Sequence, residues 1–289
     1  IKNLKTHSLT LKDGRKLSFD LYGAENGTPI LCLHGTPASK FMFENFHELA
    51  KKFNFSLIAP SRPGIGKSSY KIFNRLSDYS EDIKELMAKQ NISSCHLIGV
   101  SGGGPYAFAL ANSIPENFLS LNLISALGPI DKKNLKKMGT PQKLILVLFK
   151  KNKFLASCML KVIFKYGKRF KRIFLKILCF HSSRNDKKAL KNIKIRDSLI
   201  KSNFSAFESG VEGIMQDIHL FLFGWEYKNK YYNGQINIWH GKDDPTVPVE
   251  MANFYTDFYK NAKFIPIENG GHHWFYENME KILVKLIEK

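Results

Sequence analysis

Short apolar runs alternate along the chain with longer stretches of helical periodicity. Residues 30–33, 55–59, 95–100, 119–124, 235–239 and 264–267 are apolar runs bounded by turn formers, the pattern of strands buried on both faces. Between them, residues 40–53, 77–90, 106–111, 249–258 and 276–287 carry apolar positions at helical spacing. The 77–90 stretch has an acidic first turn (Asp78, Glu81, Asp82), which suits the positive end of a helix. Ahead of these, residues 8–11 and 16–22 flank Asp13-Gly14 and predict a β-hairpin. Strands alternating with helices predict an α/β fold with a mostly parallel central sheet and helices on both faces. The alternation stops at Gly128-Pro129 and resumes at residue 235. Residues 130–233 show no period-two strand and read as several helices inserted between two sheet strands. The expected organisation is a core of residues 1–129 and 234–289 with a helical insert at 130–233.

A length of 289 residues with 44% hydrophobic positions suits one large domain, or a core domain carrying an insert. The net charge of +19 changes this picture through its placement. Residues 132–201 hold 22 Lys/Arg and two acids, Asp186 and Asp197, which leaves 22 basic against 23 acidic residues elsewhere. The core is near neutral and the insert carries the whole excess, as expected of a segment with its own surface. Cys32, Cys95, Cys158 and Cys179 have no metal-ligand spacing, and Cys32 and Cys95 fall in apolar runs as buried free thiols. A reducing cytoplasm is the expected location. No stretch reads as a signal peptide, and no uncharged apolar run reaches the ~18 residues of a spanning helix.

The candidate chemistry lies at the C-terminal ends of the predicted strands, where open α/β sheets bind ligands. After the 95–100 strand comes Gly99-Val100-Ser101-Gly102-Gly103-Gly104-Pro105-Tyr106, a G-x-S-x-G pattern running into a helix. So tight a strand-to-helix turn presents the Ser101 hydroxyl outward, and the helix N-terminus favours an anion there. The 235–239 strand leads into His240-Gly241-Lys242-Asp243-Asp244-Pro245, with Asp244 preferred over Asp243 as the acid. No acid ends the 121–124 run, the other place where such a fold can supply one. The 264–267 strand leads into Asn269-Gly270-Gly271-His272-His273, with His272, directly after the glycines, preferred as the base. A histidine suits the role because it exchanges a proton near neutrality. Two backbone N–H groups are needed for an oxyanion. Gly102 supplies one; Thr36 in His34-Gly35-Thr36-Pro37 is the candidate for the other, since Pro37 has no N–H. His34 reads as loop packing.

On these residues, with the Arg62-Pro63-Gly64-Ile65-Gly66-Lys67-Ser68 loop, the chain resembles the α/β-hydrolase superfamily, and within it small esterase-like hydrolases. The resemblance covers about residues 15–128 and 235–289. The order Ser101, Asp244, His272 is the one expected there. It implies an α/β-hydrolase fold, hydrolysis of a small-molecule ester through an acyl-enzyme with a Ser–His–Asp triad, and no metal or cofactor. Serine at the nucleophile position argues against epoxide hydrolases and haloalkane dehalogenases, which attack through a carboxylate. One departure is Ser61, where the family often has an acid, which puts the bonding of that loop in question. Thioesterase, aminopeptidase and C–C bond hydrolase chemistry share the same steps, and a low-turnover ligand- or membrane-binding protein is the reading from another class.

The resemblance makes an insert at this point a cap over the site. Leu155, Met159, Val162, Tyr166, Phe170, Phe174 and Ile177 fall near one helical face, with Lys161, Lys165, Lys168, Arg172 and Lys176 largely off it, and Gly167 marks the expected place for a break. Three readings stay open. The apolar face covers the pocket and the lysines are solvated; or the basic helix docks peripherally on an anionic membrane; or the charge attracts an anionic substrate such as an acyl-CoA or phospholipid. Apolar or acyl-lipid esters are the expected substrates. Nucleic-acid binding is not expected, because no recognition motif accompanies the charge.

Overall fold

The computed structural model describes residues 6–179, 182–226 and 232–288. Eight strands form one sheet: β1 (His7–Thr10), β2 (Lys16–Gly23), β3 (Thr28–Leu33), β4 (Phe55–Pro60), β5 (Cys95–Val100), β6 (Phe118–Ile124), β7 (Gln235–Gly241) and β8 (Lys263–Ile267). Their order is β1-β2-β4-β3-β5-β6-β7-β8. The β1–β2 hairpin is antiparallel, with Leu9 opposite Leu17, and β2 runs antiparallel to β4; every later pairing is parallel.

Because strand side chains alternate between faces, the central runs serve two cores at once. Leu31, Leu33, Leu97, Leu121 and Ile238 pack on one face with Phe108 and Leu110 of α3 (Gly103–Ser113) and Ile83 and Leu86 of α2 (Tyr79–Lys89). Ile30, Cys32, Ile98, Val100 and Trp239 pack on the other with Ile282 and Leu283 of α12 (Phe275–Ile287) and Ala50 of α1 (His47–Lys52). The sheet is α11 (Ala252–Phe258) and these four helices' common scaffold. Residues 40–53 do not form one helix. A 3-10 turn over Lys40–Phe46 precedes α1. Its buried residues are Lys40, Met42, Phe43 and Phe46, of which Lys40, Phe43 and Phe46 fall at the three-residue spacing of a 3-10 repeat.

Between β6 and β7 the described residues form seven helices: α4 (Lys132–Lys137), α5 (Thr140–Lys151), α6 (Lys153–Arg169), α7 (Lys171–Leu178), α8 (Arg184–Ala189), α9 (Ile193–Ala206) and α10 (Glu212–Phe223). Leu146, Phe149, Leu160, Ile214 and Phe221 join the α3-side cluster, and Leu175, Ile195 and Leu199 join the other. The inserted helices thus extend both cores.

The apolar face of α6, which only the first of the three readings turns onto the pocket, faces outward. Leu155, Val162, Tyr166 and Phe170 are exposed, as are Phe154 and Ile173 beside them. The inward side is Ala156, Leu160 and Gly167, with Phe164 stacked on Phe207 at 4.9 Å between ring centroids. The inward side thus combines small residues, which let the helix approach its neighbours closely, with Leu160 and Phe164, which fill the core. The break between helices comes at Phe170, and Gly167 is buried within α6. The Phe174 and Ile177 side chains lie outside the described residues.

Candidate active site

Ser101 sits at the turn from β5 into α3 with φ of 52°, in the left-handed region that non-glycine residues seldom adopt. Its backbone is over-determined: its N–H donates to Ile124 O at 2.9 Å, and its carbonyl accepts from Gly104 N at 2.9 Å and Leu127 N at 3.0 Å. The turn closes because side chains are missing. A Cβ at Gly99 would lie 2.6 Å from the Ala107 Cβ, and one at Gly103 would lie 2.2 Å from Leu33 O.

The structure brings Ser101, His272 and Asp244 together. His272 Nε2 lies 3.0 Å from Ser101 Oγ, and His272 Nδ1 lies 2.7 Å from Asp244 Oδ2. Asp244 Oδ1 accepts the N–H groups of Thr246 at 2.8 Å and Val247 at 2.9 Å, so this carboxylate is held from both sides. Since an ionised carboxylate only accepts, Nδ1 carries the histidine proton, and Nε2 is left to accept from the Ser101 hydroxyl. Asp243 and His273 do not join this chain. The Asp243 side chain is exposed, while its backbone N–H donates to Gly270 O at 2.9 Å. Burial and the neighbouring His272 push His273 down to about 4.

Electrostatics separate the roles. Burial works to lower the His272 pKa, but the Asp244 charge and hydrogen bond, with a contribution from Asp186, leave it above the ordinary value. Burial works to raise Asp244; the charge and hydrogen bond of His272 outweigh it, and Asp244 lies below the usual carboxylate range. Behind them, buried His240 donates from Nε2 to Val247 O at 2.9 Å, and burial holds it below its ordinary pKa, hence neutral.

Thr36 and Gly102 are neighbours: a Cβ on Gly102 would meet Thr36 Oγ1 at 2.8 Å and Phe221 Cζ at 3.0 Å. The Thr36 loop is fixed by a buried network. Thr36 Oγ1 donates to Asp217 Oδ2 at 2.5 Å. Arg62 donates to Asp217 Oδ1 at 3.1 Å and Oδ2 at 2.6 Å, to His34 O at 2.5 Å, to Gly35 O at 3.0 Å and to Thr36 Oγ1 at 2.8 Å. Tyr106 OH donates to Asp217 Oδ1 at 2.7 Å, and its ring lies 4.8 Å from the guanidinium. His34 accepts the Arg62 N–H at 3.3 Å. Asp217 lies on α10, so the inserted helices supply the acid that pairs Arg62. Ser61 is buried; its N–H donates to Ser18 O and its hydroxyl accepts from Lys40 N.

Sequence reasoning missed Asp217, Asp186 and Tyr106. A signal for Asp217 was available: it is the one acid in the largely apolar stretch of residues 214–223, which also holds Gln216 and His219. Among the described residues, no group of three or more His, Cys, Asp or Glu is placed to hold a metal, and the four cysteines are free.

A mostly parallel sheet that carries a serine on a strained strand-to-helix turn, with an acid and a histidine at later strand ends, defines an α/β-hydrolase class of protein. The family model described as alpha/beta hydrolase fold matches residues 28–279, and the chain belongs to that family. It is 33% identical over 138 residues to the uncharacterized hydrolase YcgS of Bacillus subtilis (strain 168), a match covering 48% of this chain and 46% of that protein. It is 32% identical over 133 residues to Lipase 1 of Psychrobacter immobilis, covering 44% and 40%. The chain thus spans less than half the length of these two relatives. The esterase of Exiguobacterium antarcticum superposes with a TM-score of 0.69 over 98% of both chains at 18% identity, a likeness of fold.

Proposed function

We propose that the protein is a serine hydrolase of carboxylic esters that works through an acyl-enzyme. The observation that carries this reading is the unbroken hydrogen-bond chain from Ser101 Oγ through His272 to Asp244, at 3.0 and 2.7 Å. His272 Nε2 takes the hydroxyl proton as Ser101 Oγ attacks the ester carbonyl, and Asp244 stabilises the imidazolium that forms. The Gly102 and Thr36 N–H groups donate to the oxyanion, with the positive end of α3 behind Gly102. Collapse of the tetrahedral intermediate expels the alcohol, protonated by His272. Water, deprotonated by the same nitrogen, then releases the carboxylic acid and restores Ser101. The names of the lipase and esterase relatives support an ester as the bond cleaved.

The inserted helices act in this reading as a cap. Ser101 is only 8% exposed, and Phe221 of α10 stands over Gly102. An apolar roof of this kind favours an apolar acyl group. The outward face of α6 and α7 is the proposed docking surface, and its partner is an anionic lipid bilayer. Phe154, Leu155, Val162, Tyr166, Phe170 and Ile173 stand exposed there among exposed Lys150, Lys151, Lys161, Lys165 and Lys168. Large apolar side chains rimmed by one sign of charge suit a negatively charged lipid surface.

The test of the chemistry is labelling by a fluorophosphonate. The wild-type protein is expected to form a serine adduct and Ser101→Ala to form none, followed by hydrolysis of an ester series of increasing acyl length. A folded wild-type protein that neither labels nor hydrolyses any member would overturn the reading.

A further inference from the structure

Beyond the Ser101–His272–Asp244 chain, one more carboxylate lies against the histidine loop, and it comes from the inserted helices. Asp186 stands in the first turn of α8 and is 1% exposed. Its Oδ2 accepts the backbone N–H of His272 at 2.7 Å, and its Oδ1 accepts that of His273 at 2.7 Å. Both oxygens of a single carboxylate are therefore taken by consecutive amides, one of them belonging to the residue that carries the imidazole. Bonds to an ionised acceptor are stronger than neutral ones.

The carboxylate is itself held. Ser183 caps α8, its Oγ accepting the Asp186 N–H at 3.1 Å. One residue along, Asn185 Nδ2 donates to Asn269 O at 2.5 Å, at the other end of the same loop. The fit leaves no spare volume: a Cβ at Gly271 would lie 2.1 Å from both Asp186 Oδ2 and Ser183 Oγ. Gly271 is thus the side of the loop on which α8 rests. The need for this support is also local. Gly270-Gly271 precedes His272, and two consecutive glycines give a backbone wide freedom when nothing pins it.

We propose that Asp186 is a positioning residue for His272: by binding two consecutive amides of the loop it holds the imidazole between Ser101 and Asp244, so that the base is in place only while the inserted helices are seated. This rests on the reading of His272 as general base. A misplacement of about 1 Å at a reacting group can lower a rate about 100-fold, which sets the scale of the effect. The charge acts as well. The groups that face His272 are Ser101, Asp244, the adjoining His273 and Asp186, with His240 behind Asp244. Asp186 is the second negative charge beside an imidazole that becomes cationic in each chemical step.

The experiment compares Asp186→Asn and Asp186→Ala with Ser183→Ala in the whole chain. Readouts are hydrolysis of p-nitrophenyl butyrate across pH, the fluorophosphonate labelling rate, and hydrogen exchange of the His272 and His273 amides. Asp186→Asn keeps the volume but cannot accept from both amides. We expect kcat to fall roughly 10-fold in Asp186→Asn and about 100-fold in Asp186→Ala, with KM within about twofold. The acidic limb of the rate profile should move to lower pH, and the two amides should exchange faster. Ser183→Ala loosens the start of α8 but keeps the carboxylate; its pH profile should match the wild type. Wild-type kcat and exchange in Asp186→Ala overturn the proposal. So does an unmoved pH limb in both Asp186 variants with losses equal to those of Ser183→Ala, which would mark a role in helix stability alone. A wild type that neither labels nor hydrolyses ester instead sinks the general-base reading, while amide exchange still decides whether Asp186 holds the loop.

Discussion

At the scale of the residue, the site is a set of opposed pulls on protons. Burial alone would make His272 a weaker base than an ordinary histidine; the Asp244 charge and hydrogen bond reverse that. The sign fixes a pH dependence. In the proposed reaction His272 is the base and must be neutral, and its folded pKa is raised, so kcat/KM should climb with pH through a midpoint above the ordinary value of about 6.5. Asp244→Asn removes the cause: the midpoint should move down and kcat fall by about 10⁴-fold, read from rates measured between pH 5 and 9. A midpoint unchanged in that variant would show that Asp244 does not set the histidine. In the sequence Asp244 is set apart from Asp243 by its spacing from Gly241 and Pro248, and His272 from His273 by directly following the glycine pair. The structure sets the two acids in different surroundings: Asp244 is buried and accepts two N–H groups, while the neighbouring Asp243 faces solvent. Asp186 was visible only as one of two acids among 22 bases. Nothing in its local pattern says that it points at an amide 86 residues away, because such a contact is made by the fold and has no local period.

At the scale of the element, strands announced themselves and helix faces did not. The 95–100 run is a strand in both readings because buried parallel strands are apolar throughout. The α6 face was legible as amphipathic, yet its direction was not, because apolar residues lie on both sides of the helix: Ala156, Leu160 and Phe164 go in, and Phe154 stays out, 74% exposed. The α10 helix shows a related limit. Its Asp217 forms a fully buried pair with Arg62, an arrangement that hydrophobic periodicity penalises. Removing one partner strands the other charge without water. Asp217→Ala should therefore lower stability by about 3–5 kcal/mol in urea unfolding, and Arg62→Met combined with Asp217→Leu should lose much less. Equal losses in the single and double variants would show that the ion pair itself is not the source.

At the scale of the whole molecule, the charge is divided between a near-neutral sheet and a strongly basic set of helices. If the outward face of α6 and α7 meets lipid, the protein should sediment with vesicles containing phosphatidylserine and much less with phosphatidylcholine vesicles, with binding weakening as salt rises. Phe154→Ser with Tyr166→Ser and Phe170→Ser should lower that binding and leave hydrolysis of a short soluble ester intact. Equal binding to neutral vesicles would remove the electrostatic part of the reading. No helix among the described residues is long and apolar enough to cross a membrane. The placement of Asp186 and Asp217 carries one more consequence. Each of the two loops that flank Ser101 is tied to an acid from the inserted helices, one to the amides around His272 and one to Thr36 and Arg62. The inserted helices are therefore no interchangeable attachment. A chimera that transplanted another protein's insert onto this sheet would keep every residue of the proposed triad and still lose both of these supports, so altering selectivity here calls for carrying the two aspartates across with the graft.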